Sequence, residues 1–168
     1  SELDEAVTLA SLYFRTNSVT DVLDGLVWDG VPRLDTFLTE YLGADESEES
    51  AELLRTYGRK WLISACARAY SPGCKADHVL VAVGGEEVGK STSIKILAEA
   101  IAPRAFRENI PPIATGDKEA VTALLGGWIL ELSELASFTK GESEAVKSFI
   151  TRREDNIRLS YDRRTKQL

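Results

Sequence analysis

The stretch from Val79 to Thr92 limits the folds open to this chain more than any other. An apolar, β-branched run, Val79-Leu80-Val81-Ala82-Val83, leads into Gly84-Gly85-Glu86-Glu87-Val88-Gly89-Lys90-Ser91-Thr92 and then into a helical pattern. Gly84, Gly89, Lys90 and Ser91 fill the fixed positions of G-x-x-x-x-G-K-[ST]. The order has a chemical reason. Glycines let the backbone curl so that several N–H groups point inward at an anion. The following helix adds its positive end. Lys90 supplies a flexible point charge for β- and γ-phosphates, and the Ser91 hydroxyl suits Mg²⁺. A glycine-rich turn without ligand is the bland alternative.

The rest of the chain fits a helical region followed by an α/β core. Helices are expected from Ser18-Val19-Thr20-Asp21, with a hydroxyl before an acidic first turn, and from Pro32 through the stripe Leu34, Leu38 and Tyr41, which Phe37 flanks. A long helix follows from about Ala51 to Tyr70, and Pro72-Gly73 ends it. Arg59, Lys60 and Arg68 on this helix read as solvated. Val79–Val83 reads as a parallel strand buried on both faces. Lys90 to about Ile101 reads as a helix, residues 104–116 as irregular, and Asp117–Leu125 as a short helix closed by Gly126-Gly127. Trp128–Glu134 reads as a second buried strand, Lys140–Ile150 as a helix, and Asn156–Leu168 as a strand or hairpin. The expected division is a helical region at 1–77 and a core at 78–168. The fold class is α/β, a parallel sheet flanked by helices.

Hydrolysis needs a second element, a strand ending in carboxylate. Glu131 and Glu134 both qualify. Residues i and i+3 on a strand face opposite sides. Glu134 is favoured, at the strand's carboxyl end where ligands sit in open α/β sheets; Glu131 is the second candidate, for cation or water. An exposed pair on an edge strand is the alternative.

Charge is uneven. The chain of 168 residues carries −7 overall. From Lys147 to Leu168, seven bases face three acids. Arg152, Arg153, Arg158, Arg163, Arg164 and Lys166, with Tyr161 among them, suit phosphate contact and base stacking. They also suit a reach into a neighbouring subunit, or plain solvation. No apolar run approaches the roughly 20 residues of a membrane span. Cys66 and Cys74 read as reduced thiols, and His78 as structural. The opening Ser1-Glu2-Leu3-Asp4 lacks Met and reads as the start of an excised piece of a longer protein.

Several further stretches carry a resemblance. They are Trp28-Asp29-Gly30-Val31-Pro32-Arg33-Leu34-Asp35-Thr36, Gly58 to Ala65, Pro72-Gly73-Cys74-Lys75 with Asp77-His78, the glycine-rich turn, Trp128 to Leu135, Lys147-Ser148-Phe149, and Arg158 through Arg163. Together they resemble the virulence-associated E family of phage and mobile-element proteins, whose core is similar to superfamily 3 helicases of the AAA+ class. The resemblance implies a P-loop ATPase in replication, with ATP and Mg²⁺ on Gly84, Gly85, Glu86, Glu87, Val88, Gly89, Lys90, Ser91 and Thr92. It also implies a hexameric ring, single-stranded DNA as partner, no membrane, and a cytoplasmic setting in a bacterial or phage-infected cell. Two departures stand out. The family's turn reads Gly-Pro-Gln-Gly-x-Gly-Lys-Ser, whereas Glu87 stands at the internal glycine here. The family also continues into a sensor strand that this sequence does not reach, so weak activity is expected of this piece alone. A nucleotide-gated assembly switch and a small-molecule kinase are the competing readings. A kinase needs a lid, and residues 102–127 offer none clearly.

Overall fold

Among the described residues more lie in helices than in strands; the structure, a computed structural model, describes residues 17–108, 123–133 and 138–151 and the backbone of 156–157 and 166–167. The helices are α1 (Ser18–Gly25), α2 (Ala51–Tyr70), α3 (Lys90–Ile101) and α4 (Lys140–Ile150), with a π-helical turn at Phe37–Tyr41. The strands are β1 (Phe106–Arg107), β2 (Ile129–Leu130), β3 (Asn156–Ile157) and β4 (Lys166–Gln167).

Two of the helices start on a side-chain cap. At α1 the cap is Asn17 rather than Ser18. Its Oδ1 accepts from the Val19 and Thr20 amides, and its Nδ2 donates to the Ala69 carbonyl at 3.1 Å. The same side chain therefore starts α1 and fastens it to the end of α2. At α4, Thr139 and Glu142 form a reciprocal capping box. Hydrogen bonding to Thr139 holds the Glu142 carboxyl below its usual range.

The segment before α2 departs from the expected helix. Only a π-helical turn forms, and the i→i+5 spacing shifts its buried face. Phe37 and Leu38 are buried, while Leu34 and Tyr41 lie at the surface. Leu38 packs on α2 where Gly58 leaves room, for a Cβ there would come within 3.1 Å of it. Phe37 stacks on Trp61 with ring centroids 6.0 Å apart. Upstream, Asp29 binds both Arg33 Nη atoms at 2.8 Å and accepts the Val31 amide. These bonds, Arg33 first and the Val31 amide second, hold the Asp29 carboxyl down at about 2.

One buried cluster joins the helices to the strands. Val19, Ala69, Ala98, Ala102, Ala105, Phe106 and Ile129 form it, with Leu23, Trp61, Ile94, Leu97, Ile101 and Trp128 packed around it. Alanines let α3 and β1 approach closely. Trp128 Nε1 donates to the Ala65 carbonyl at 2.8 Å, so the start of β2 is tied to α2.

β1 and β2 pair in parallel, Phe106 with Ile129 and Arg107 with Leu130. The parallel pairing expected of an α/β chain is thus present, but as one short pair. β1 lies in a region expected to be irregular. β3 and β4 pair antiparallel, Asn156 with Gln167 and Ile157 with Lys166, as the alternating pattern suggests. Val79–Val83 corrects an expectation. It joins no ladder, and Val79, Val81 and Val83 are 49%, 59% and 93% exposed. Burial of a central strand requires neighbours on its edges and cover on its faces, and the described residues supply neither.

Two predictions follow from this packing. A Cβ on Gly127 would meet Arg107 Cγ at 2.6 Å and Leu130 Cδ2 at 2.9 Å. Gly127→Ala is therefore expected to lose about 1–3 kcal/mol of stability by overpacking, measured by urea unfolding. The second concerns pH. Because its carboxyl is depressed, Asp29 contributes fully above the ordinary carboxylate range and loses its contribution as pH falls through about 2. Protection of the Val31 amide, its exchange rate set against that of the unfolded chain at the same pH, should fall over that window in the wild type, whereas Asp29→Asn should show lower protection already at neutral pH.

Candidate functional site

The turn between the valine run and α3 is built from positions that tolerate unusual backbone. Gly89 caps α3 with φ 87°. Glu87 also has a positive φ of 58°, where glycine is at ease and glutamate is not. Gly84, Gly85, Glu86, Glu87 and Val88 are exposed, and Thr92 is exposed on the first turn of α3.

Lys90 opens α3, and its side chain folds back over the turn. Nζ donates to the Gly84 carbonyl at 3.0 Å and to the Gly85 carbonyl. A Cβ on Gly84 would lie 3.9 Å from Nζ, an ordinary contact, so the ammonium rests directly over that glycine. Ser93 Oγ donates to the Gly89 carbonyl at 2.9 Å and steadies the junction.

The second half of the site arrives from β2. The ladder stops at Leu130, and Glu131 N still donates to the Arg107 carbonyl at 2.8 Å. Its backbone is therefore fixed at the carboxyl end of the pair. There its Oε1 accepts from Ser91 Oγ at 2.5 Å. Ser91 and Glu131, forty residues apart, thus meet beside Lys90. Ser91 Oγ and Glu131 are hard oxygens, the ligand type that Mg²⁺ prefers. Among the described residues no three His, Cys, Asp or Glu side chains converge to hold a metal by themselves. Any cation here would complete its shell with water and a ligand's own oxygens.

The other candidate residues are placed as follows. Glu134, Arg152, Arg153, Arg158, Tyr161, Arg163 and Arg164 lie outside the described residues, and Lys166 is described only as backbone in β4. The described pairing ends at Leu130, four residues before Glu134, and it is Glu131 that it brings to Ser91.

Two helix arginines read as solvated have partners. Arg59 Nε donates to Asp35 at 3.0 Å, and this carboxylate raises the Arg59 guanidinium above its ordinary value. Arg68 Nη2 donates to the Ala76 carbonyl at 3.4 Å and the Ile150 carbonyl at 3.3 Å, joining α2, the approach to the valine run and the end of α4. No local sequence signal marks Arg68, because both acceptors are backbone groups.

Both hydroxyl and carboxylate in the Ser91–Glu131 pair are at or near the surface, so the bond contributes little to folding. Ser91→Ala and Glu131→Gln are each expected to change unfolding free energy by less than about 1 kcal/mol, as thermal and urea unfolding would report. A loss of function in either variant then cannot be assigned to unfolding.

A sequence model for the virulence-associated protein E-like domain matches residues 23–168. No curated protein matches the chain. No described helix is long and apolar enough to cross a membrane.

Proposed function

The chain belongs to the virulence-associated protein E-like domain family, and on that premise we propose that it is the ATP-binding and hydrolysing core of a phage or mobile-element replication protein that acts on DNA. One observation carries the reading: Ser91 Oγ and Glu131 Oε1 are 2.5 Å apart beside a lysine folded over a glycine-rich turn. A turn that bound nothing would have no use for a carboxylate delivered from a separate strand.

The residues divide the work. The Gly84–Gly89 backbone would wrap the β- and γ-phosphates with N–H groups. Lys90 now satisfies its ammonium on two carbonyls. Phosphate oxygens are charged and make stronger acceptors, so the side chain would exchange the Gly84 and Gly85 carbonyls for the γ-phosphate. Ser91 and Glu131 would hold Mg²⁺, directly and through water. When bound, the ion would neutralise charge developing on the phosphate oxygens. Glu134 is the proposed carboxylate that orients water. Attack of that water on the γ-phosphorus breaks the β–γ bridging P–O bond and gives ADP and inorganic phosphate, and the water's proton leaves through the base.

The basic stretch Arg152, Arg153, Arg158, Tyr161, Arg163, Arg164 and Lys166 is the proposed contact for single-stranded DNA or a neighbouring subunit. A hexameric ring is the proposed assembly. The test is ATP turnover by the purified protein, with and without single-stranded DNA. Lys90→Ala is expected to abolish turnover, and Glu131→Gln to lower it by about 100-fold or more. Unchanged turnover in Lys90→Ala refutes the enzyme reading. Turnover indifferent to single-stranded DNA points instead to a nucleotide-gated assembly switch.

A further inference from the structure

Glu87 breaks two local rules at one position. It holds a positive φ of 58°, a conformation that costs a side-chain-bearing residue about 1 kcal/mol or more. It also places a negative charge where the proposed ligand is an anion. Glu86 beside it doubles the charge. Both are exposed at the crest of the turn, and neither has an ion-pair partner among the described residues. Lys90, the turn's one base, bonds to the Gly84 and Gly85 carbonyls instead of to either carboxylate. Residues 84–92 therefore carry two acids against one base. Two residues lie between Glu87 and Lys90, so their Cα atoms are at most about 11 Å apart. That is well inside the screening length of about 30 Å at 0.01 M salt. A carboxylate at this range acts on whatever anion Lys90 binds.

We propose that Glu87 is a specificity-determining residue of this turn: it disfavours metal-free polyphosphate and admits polyphosphate already neutralised by a divalent cation. The inference rests on the reading of Gly84–Thr92 as a nucleotide phosphate site. The physics is differential. A metal-free nucleoside triphosphate bears two more negative charges than its complex with one divalent cation, so repulsion from Glu87 falls mainly on the metal-free form. The strained backbone is already present without ligand, so it weighs equally on both forms and does not discriminate. Charge is then the only property of Glu87 that separates them.

The experiment measures ATP binding by titration calorimetry, at low salt, with Mg²⁺ and with chelator, for wild type, Glu87→Gln, Glu87→Gly and Lys90→Ala. Glu87→Gln keeps the side chain and the backbone but removes the charge. It is expected to tighten metal-free ATP by about tenfold and Mg²⁺–ATP by no more than about threefold, with the difference shrinking in high salt. Glu87→Gly should match it. Metal-free binding by Glu87→Gln equal to wild type overturns the proposal, and so does a gain confined to Glu87→Gly. Equal gains for both forms of ATP also overturn it. Lys90→Ala separates the two readings. If it binds ATP as wild type does, the turn is not the nucleotide site and both readings fall. If it loses binding while Glu87→Gln changes nothing, the role of Glu87 falls alone.

Discussion

The parallel pairing of Phe106–Arg107 with Ile129–Leu130 positions the carboxylate of the candidate site. It is only two residues long, so it depends on what surrounds it. Trp128 N and Ile129 N both donate to the Ala105 carbonyl, at 2.7 and 3.0 Å, and Glu131 N donates to the Arg107 carbonyl. Arg107 in turn sends its guanidinium to the carbonyls of Arg104 and Leu125. Gly127 lets the chain pass against Arg107 and Leu130 where no Cβ fits. A few backbone bonds and one close approach thereby place Glu131 against Ser91 on α3. The site is a consequence of strand register: a slip of one residue would turn the carboxylate to the other face.

The helices before the glycine-rich turn hold this arrangement from behind. Ala69 on α2 and Val19 on α1 belong to the same buried cluster as Ala98, Phe106 and Ile129. Three directional bonds lock that packing: Asn17 to Ala69, Trp128 to Ala65 and Arg68 to Ile150. The cluster is rich in alanine, and no large side chain among the described residues is fully buried. Alanine contributes little apolar area, so orientation here relies on hydrogen bonds across elements more than on bulk. Arg68 fits that logic. Its charge sits at the C-terminal end of α4, where the helix carbonyls favour a cation.

Much of the helical structure is legible in the sequence, because its determinants are local. Lys90 and Ile101 bound α3 as the glycine turn and Pro103 suggest, and α2 ends where Pro72-Gly73 forbids continuation. Features set by distant partners are less legible. Asn17 outcompetes Ser18 as a cap because its amide also reaches Ala69, fifty-two residues away. β1 is too short to show an alternation. The valine run has the composition of a buried strand, but composition cannot supply the neighbours that bury one. For the candidate site, motif spacing identifies Gly84 through Ser91. It does not show that Glu131 meets Ser91, because that contact depends on where pairing stops.

The turn itself explains why a single charge can matter. Without ligand, Lys90 is held by two carbonyls of its own loop and Ser91 by Glu131. The two side-chain groups that an anion or a cation would use are thus already paired. For these side chains binding must exchange hydrogen bonds rather than fill empty ones, so the net gain is less than the gross strength of a charge-assisted bond. Against a gain reduced in this way, the like charge of Glu87 weighs more on the proposed ligand. A phosphate site with glycine at that position would meet its ligand with backbone amides and Lys90 and no opposing carboxylate. With glutamate there, the proposed site would respond to how much of the ligand's charge has already been neutralised.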